Sequence, residues 1–262
     1  MKITLIILTY NRPDALAVVL QSIEKQSELP FEVIIADDGS AEETHQLIKK
    51  MSAGFPVPLL HAWHPDEGFR IARIRNAAIN ISSGEYFIFS DGDLILHPRF
   101  IEDFRKNATA GEALIGSRVF LNLEVTNRIL KTGNADFGNP FFTSVFEKNR
   151  MNAFRIPILS RLFQPIKYSV KLRGGLLGVW KNDLIEVNGW NEDFEGWGLE
   201  DSELLVRLHH NGVLFRKMKF RAITYHLWHE TEKRERLSAN RELLENSIKN
   251  KLEKCKNGLI RL

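Results

Sequence analysis

The sequence predicts an α/β fold built on one doubly wound, mainly parallel sheet with helices on both faces. Near-continuous apolar runs, "KITLIILTY", "FEVIIADDGS" and "EYFIFS", read as strands covered on both sides. Segments with apolar residues at helical spacing separate them, so successive strands are joined by right-handed crossovers. Polar clusters then follow the strands: Thr9-Tyr10-Asn11-Arg12, Asp37-Asp38-Gly39-Ser40 and Asp91-Gly92-Asp93. Sheets of this kind bind ligands beyond the carboxyl ends of their strands, so the three clusters define one rim and one site.

The elements follow in order. Pro13 stands at a helix start, and Leu16, Val19, Leu20 and Ile23 supply its apolar face. Ser40 opens "SAEE", a capping box with Glu43, which predicts a helix to about Lys50. "VPLLHAW" reads as a third strand and "RIARIRNAAINI" as a helix ending before Gly84. "EYFIFS" is the fourth strand, and a helix follows Pro98. "ALIGSRVFL" reads as one strand, while the stretch from about Asn122 mixes Gly, Asn, Pro and Phe with basic residues and has no clean period. That stretch, 121–170, is expected to be a variable insertion or loop region long enough to be functional. "RGGLLGVWKNDLIEVNGW" resumes as a strand and a short helix. "GWGLEDSELLVRLHHNG" is a loop entering a helix with Leu204, Leu205 and Leu208 inward and Gly212 closing it. "FRAITYHLWH" is a late strand ending in two histidines.

Composition bounds the function. The chain has 262 residues, 44% hydrophobic and 26% charged, proportions of an ordinary globular protein with ample length for a core. Its one cysteine, Cys255, excludes a disulfide framework and fits a reducing compartment. "ITLIIL" is too short to span a bilayer, is broken by Asn11, Arg12 and Pro13, and lacks a small-residue cleavage site, so the expected location is cytoplasmic. The net charge of +3 hides an asymmetry: residues 216–262 hold thirteen Lys and Arg against six Asp and Glu. In this basic tail Leu244, Ile248, Leu252, Cys255 and Leu259 are spaced for one helical face. Such a helix either packs on the domain or is drawn to an anionic membrane surface or a phosphate-bearing substrate. No nucleic-acid-binding motif accompanies the charge, so no nucleic acid partner is expected.

Several residues point to chemistry. Asp91 and Asp93, two apart in extended backbone, project to the same side. Carboxylates so placed are either solvated turn residues or favour a divalent cation, and oxygen donors suit Mg²⁺ or Mn²⁺. His226 and His229 of "YHLWHE" are either structural or add imidazole from the other half, a mixed shell that suits Mn²⁺ with Mg²⁺ still open. In "GWGLED" two glycines around Trp197 allow a mobile loop whose indole can stack on a sugar or base. Glu200 and Asp201 then open a helix, where the dipole favours the ionised carboxylate that a general base requires. An acidic helix start beside a packing tryptophan explains the same string. Arg70, Arg73 and Arg75, with Asn76, lie just before or within the third helix. Arg70 and Arg73 are neighbours on one face and Arg75 points elsewhere, so some could bind diphosphate or form an exposed basic face.

"ILTYNRPDALAVVLQSIEKQ", "VIIADDGSAEET", "RNAAINISSGEYFIFSDGDLILHP" and "GWNEDFEGWGLEDSELLVRL" together resemble family-two glycosyltransferases of the GT-A fold. "GWGLED" and "YHLWH" look closest to the branch shared by bacterial chondroitin polymerase and the beta-1,4-galactosyltransferases. The resemblance covers about 1–120 and 171–230. It implies a nucleotide-sugar-binding half over 1–120 and an acceptor-binding and catalytic half over 171–230, with 231–262 a basic helical tail.

The implied reaction is inverting transfer of a sugar from a UDP-sugar to an acceptor hydroxyl of a glycan or glycolipid, with Mn²⁺ or Mg²⁺ as cofactor. Thr9, Tyr10, Asn11 and Arg12 would line the nucleotide pocket, with Asp38 reading the base assisted by Asp37. Arg70 would approach the diphosphate, and Asn76 and Gly92 belong to the same nucleotide-sugar set. Asp91 would lie by the ribose and metal, Asp93 would be the direct metal ligand, and His226, with His229 in reserve, would complete the shell. Asp201 would be the base, Glu200 and Trp197 would contact acceptor or donor sugar, and Gly174 and Gly175 would allow close approach of the sugar. The acceptor implied is a surface glycan such as lipopolysaccharide core or capsule, with the tail docking on the inner membrane face. No Gln-x-x-Arg-Trp string appears, so processive synthesis of the cellulose or chitin kind is not expected, and one catalytic domain argues against a two-activity polymerase. A sugar nucleotidyltransferase would need a Gly-rich phosphate loop with a lysine after the first strand, which "TYNRPDAL" lacks. A silent carbohydrate-binding protein would need the aromatics but not the base, metal pair and histidine together.

Overall fold

The computed structural model describes residues 1–135, 145–169, 172–230 and 234–261. Parts of the expected 121–170 region and the start of the 231–262 tail (136–144, 170 and 231–233) lie outside the described residues.

The first half alternates strand and helix: β1 Ile3–Thr9, α1 Pro13–Glu24, β2 Glu32–Asp37, α2 Glu42–Ser52, β3 Leu59–Trp63, α3 Ile71–Ile81, β4 Tyr86–Asp91. Then come β5 Leu94–Leu96, α4 Phe100–Asn107, β6 Glu112–Ile115, β7 Ser117–Leu121, α5 Leu123–Thr132, β8 Phe146–Lys148 and α6 Pro157–Ser160. The rest is β9 Leu177–Trp180, α7 Lys181–Glu186, α8 Glu200–His210, β10 Leu214–Lys217, β11 Ile223–His226 and α9 Leu237–Lys249. A seven-stranded sheet runs β10-β6-β9-β4-β1-β2-β3, and a four-stranded sheet runs β5-β11-β7-β8. In the large sheet β4, β1, β2 and β3 are mutually parallel, and β9 is antiparallel to both neighbours.

The continuous apolar runs have the cause expected of them. Ile3, Leu5 and Ile7 of β1 pack with the apolar faces of α1, α2 and α4. Ile6, pointing the other way, packs with Phe87, Phe89, α3 and α8. Side chains alternate across a strand, so a sheet buried on both faces favours apolar residues through its middle, and a buried polar one such as Thr4 is bonded internally, to Glu32.

Three local expectations are corrected. Ser40 does not cap α2: the helix starts at Glu42 after Ala41, and the Ser40 hydroxyl instead accepts from the Asn11 amide at 2.8 Å. "ALIGSRVFL" is two strands, β6 and β7, in different sheets, breaking at Gly116. In the tail, α9 ends at Lys249 and Ile248 is exposed, while Asn240 and Ser247 are its buried residues. The Ser247 hydroxyl donates to Glu203, whose carboxylate holds the fully buried Arg207 one turn along α8. A polar network thus replaces the apolar seam that the leucine spacing suggested. Cys255 and Leu259 reach the body of the domain beyond the helix, against Asn188 and the core under α3 and α8. Among the described residues no helix is long and apolar enough to cross a membrane.

Candidate active site

The strand ends converge as the rim rule requires. At the end of β1, Thr9 is buried and Tyr10 is exposed, its hydroxyl donating to Asp66 at 2.9 Å. Asn11 takes the left-handed conformation (φ 48°), which asparagine tolerates. Its amide donates to Ser40 and its side-chain oxygen accepts from the Ala41 amide, tying the β1 and β2 loops together. Arg12 stands just before α1, beside Asp14.

Asp37 and Asp38 have separate duties. Asp38 is buried, accepts from the Arg70 amide at 2.9 Å, and lies 2.7 Å from His64 Nε2. Burial raises its pKa against those two partners. Asp37 is fully buried beneath the loop, held by the Ser40 amide and by His61, which overcome the burial penalty and keep its pKa below the ordinary range. The structure places Asp37 inside the wall of the rim rather than on it.

Gly92 explains how the two aspartates of "DGD" part company. Its amide donates to the Leu8 carbonyl at 2.6 Å, and a Cβ at this position would lie 2.6 Å from the same oxygen. Only glycine lets the turn press so close to β1. On one side of it Asp91 faces Arg75 at 3.5 Å and Arg118 at 3.0 Å. On the other, Asp93 Oδ2 lies 3.2 Å from His229 Nε2 and 3.7 Å from His226 Nε2.

Donor atoms of Asp93, His226 and His229 all lie within 4.8 Å of one another, and Asp93 Oδ1 is buried with no hydrogen-bond partner. Burial opposes ionisation of Asp93, but the His229 hydrogen bond and the His226 charge bring its pKa below the ordinary value. The bond to Asp93 raises the His229 pKa, whereas burial lowers that of His226. One carboxylate and two imidazoles, with an orphaned carboxylate oxygen among them, form a mixed oxygen and nitrogen donor set that fits a divalent transition ion such as Mn²⁺ better than Mg²⁺, which prefers oxygen. Asp91 lies outside that set.

The second half closes the site. Gly196, Gly198 and Leu199 all have positive φ (70°, 102° and 74°), so the "GWGL" loop turns sharply into α8. Leucine is rarely found there, and such strain clusters at functional loops. Asn240 of α9 donates to the carbonyls of Glu195 and Gly198, tethering this loop from outside. Trp197 is 39% exposed and carries the Arg234 guanidinium 5.0 Å from its ring centre. Asp201 Oδ2 accepts from the Gly174 amide at 2.7 Å and Oδ1 from its own neighbour Ser202. Glu200 is buried, and burial, reinforced by the Asp201 charge, pushes its pKa to about 7 against the pull of Arg75.

Other expected residues land differently. Asn76 is buried and spends its amide on Trp190 and Glu192, so it braces α3 and does not reach the rim. Arg70 is bound to Glu195, which Arg236 also holds at 2.5 Å. A Cβ on Gly174 would touch Asp201, and one on Gly175 would meet the Arg118 guanidinium, so those two glycines give room to protein groups.

Arg75, which periodicity turns away from Arg70 and Arg73, is the hub. Its guanidinium lies 3.2 Å from Glu200, 3.5 Å from Asp91 and 4.3 Å from the Trp190 ring centre. Arg118, Glu195 and His64 are the other rim residues that the motifs did not single out. A lone arginine in the apolar run "SRVFL" was the available signal for Arg118.

Residues 4–167 match the family described as Glycosyl transferase family 2, and 158–230 match the N-terminal domain of galactosyltransferase. The chain belongs to glycosyltransferase family 2. Among similar family proteins, chondroitin synthase of Escherichia coli is 24% identical over 238 residues, covering 86% of this chain and 34% of its own length. Validoxylamine A glucosyltransferase of Streptomyces hygroscopicus subsp. limoneus is 27% identical over 238 residues, with 80% and 48% covered. The chain thus spans about a third to a half of the length of these relatives. Among solved structures, S. aureus TarS matches with a TM-score of 0.63 at 18% identity, over 95% of this chain and 40% of that one. Its 1–349 fragment in complex with UDP-GlcNAc matches at 0.62 and 17%, over 95% and 67%. The fold is the GT-A arrangement that the resemblance implied.

Proposed function

We propose that the chain is a metal-dependent inverting glycosyltransferase that moves a sugar from a UDP-sugar to a hydroxyl of a glycan or glycolipid. Arg75 carries the reading. By pairing with both Asp91 and Glu200, it joins the nucleotide rim of the first half to the "GWGLED" loop of the second as one site. Family membership and the TarS complex with UDP-GlcNAc support a UDP-linked donor.

In this reading Tyr10 and Asp38 face the base, and Arg70 exchanges Glu195 for the donor diphosphate. Asp93, His226 and His229 hold the cation, Mn²⁺ or Mg²⁺. When bound, it supplies neutralisation of the charge on the departing diphosphate. Asp201, oriented by the Gly174 and Ser202 amides, accepts the proton of the acceptor hydroxyl. That oxygen forms the new bond to the anomeric carbon as the opposite bond to the diphosphate breaks, inverting the centre. Glu200, titrating near neutrality, hydrogen-bonds a sugar hydroxyl, and Trp197 offers its exposed face to a sugar ring. The acceptor class is a surface glycan such as lipopolysaccharide core or capsule, reached from the cytoplasmic side. The excess of thirteen basic over six acidic residues in 216–262 would draw the tail to an anionic inner membrane face.

The test is a panel of UDP-sugars screened for Mn²⁺-stimulated hydrolysis, wild type against Asp93→Ala. Stimulated release of UDP from one donor, lost in the variant, is expected; undiminished metal-dependent turnover in Asp93→Ala would sink the proposal.

A further inference from the structure

A second group of convergent donors lies under the Asp37–Ser40 loop, away from Asp93. Asp37 ends β2, His61 sits in the middle of β3, and His45 reaches down from α2. His61 Nε2 is 3.0 Å from Asp37 Oδ2, and His45 Nε2 is 3.9 Å from the same oxygen. The three donor atoms all lie within 4.8 Å of one another. Bonds of about 2.0–2.1 Å place the donors of a tetrahedral zinc site about 3.3 Å apart, so small side-chain shifts would close these three around one ion.

Two details argue for an ion over an ordinary Asp–His pair. His45 Nε2 is buried with no hydrogen-bond partner, although it points at the cluster. A buried polar atom without a partner is rare and asks for a cause. In addition, Asp37 Oδ1 is already fixed by the Ser40 amide at 2.8 Å, which leaves Oδ2 aimed at the two imidazoles. Such outer bonds orient metal ligands. The His45 and His61 rings meet edge-on at 4.9 Å, and Trp63 packs edge-on against His45 at 5.2 Å, walling one side.

We propose that Asp37, His45 and His61 form a second metal site that binds Zn²⁺. Two imidazoles and one carboxylate with a fourth position open to water are a zinc donor set, and divalent ions bind nitrogen donors more tightly toward the end of the first transition row. In strand order β2 lies two places from β4, about 10 Å, so this ion is separate from any held by Asp93. An ion here fastens α2 and β3 to the loop whose next residue is Asp38. It therefore acts on the nucleotide rim without touching the reacting atoms. The effect on donor binding rests on the glycosyltransferase reading, but the site itself does not.

The experiment isolates the site by metal content alone. In the full chain carrying Asp93→Ala and His229→Ala, equilibrium dialysis with Zn²⁺ is expected to retain one ion per chain. Adding His45→Gln should weaken retention at least tenfold. Absence of bound Zn²⁺ in the background variant, or retention unchanged by His45→Gln, overturns the site. Wild-type chain supplies the control that needs no folding of variants: Zn²⁺ should shield His45 and His61 from carbethoxylation mapped by mass spectrometry. Equal modification with and without Zn²⁺ overturns the proposal as well. No UDP-sugar turnover by the wild-type chain, with Zn²⁺ binding intact, would refute the enzymatic reading and leave this site standing.

Discussion

The two sides of the Asp91-Gly92-Asp93 turn carry the same residue in opposite surroundings. Among the described residues Asp91 pairs with two guanidiniums and, through Arg75, is linked to the buried carboxylate of Glu200, whereas Asp93 lies against two imidazoles and keeps one oxygen without a hydrogen-bond partner. Guanidinium is charged at every working pH and forms lasting ion pairs, so the Asp91 side is built to hold the two halves together. Imidazole gives up its proton near neutrality and can turn to a metal, so the Asp93 side is built to be rearranged. One side of the turn is a fastening and the other, in the proposed reading, a socket.

The largest expected effect separates them by activity. Asp93→Ala should lower metal-stimulated UDP-sugar hydrolysis by about a thousandfold, the several kcal/mol that charge neutralisation at a leaving group supplies. Its urea midpoint should move much less than that of Arg75→Met. Arg75→Met comes next, because it leaves the buried Glu200 without its guanidinium and Asp91 with Arg118 alone. It should cost about 3 kcal/mol of stability by urea denaturation. If Asp93→Ala proved the more destabilising of the two, the contrast between fastening and socket would fail.

The third prediction is one of pH. Glu200 has its folded pKa raised to about 7 by burial, so the native state holds the proton more tightly than the unfolded chain. Ionising it in place destabilises the fold progressively above the ordinary glutamate range, and the penalty is complete above about pH 7. Glu200→Gln keeps the acceptor for Arg75 but removes the titration, so it should gain about 2 kcal/mol over wild type between pH 5 and pH 8. Parallel denaturation curves at the two pH values read it, and a gap that does not change would show that Glu200 ionises freely. The smallest effect is at the tether: Asn240→Ala removes two bonds to the "GWGL" loop and should cost about 1 kcal/mol. Faster amide exchange confined to residues 195–199 should accompany it.

Much of the donor rim was legible. The ends of β1, β2 and β4 follow from apolar runs that stop at polar strings, and the rim rule needs only the order of strands and helices. "GWGLED" and "YHLWH" announced themselves by unusual composition. Arg75 did not, because helical periodicity reports which face of α3 a residue occupies and says nothing of what that face meets. The demotion of Asn76 and Asp37 to internal supports has the same origin: a polar residue beside a motif looks alike whether its partner is a ligand or a backbone carbonyl. Ser40 misled for a local reason, since its hydroxyl satisfied the Asn11 amide in place of the helix start.

By itself the sequence determined the strand and helix order through β4, the double-sided burial of those strands and the residues that end them, because those depend on periodicity along one chain. Tertiary structure alone decided that Asp91 faces arginines and Asp93 histidines, that Arg75 ties Asp91 to Glu200, and that His45 and His61 converge on Asp37. Each of those pairings joins residues far apart in sequence or on different elements. Their energies depend on separations of 3–4 Å, which only the packed sheets and helices bring about.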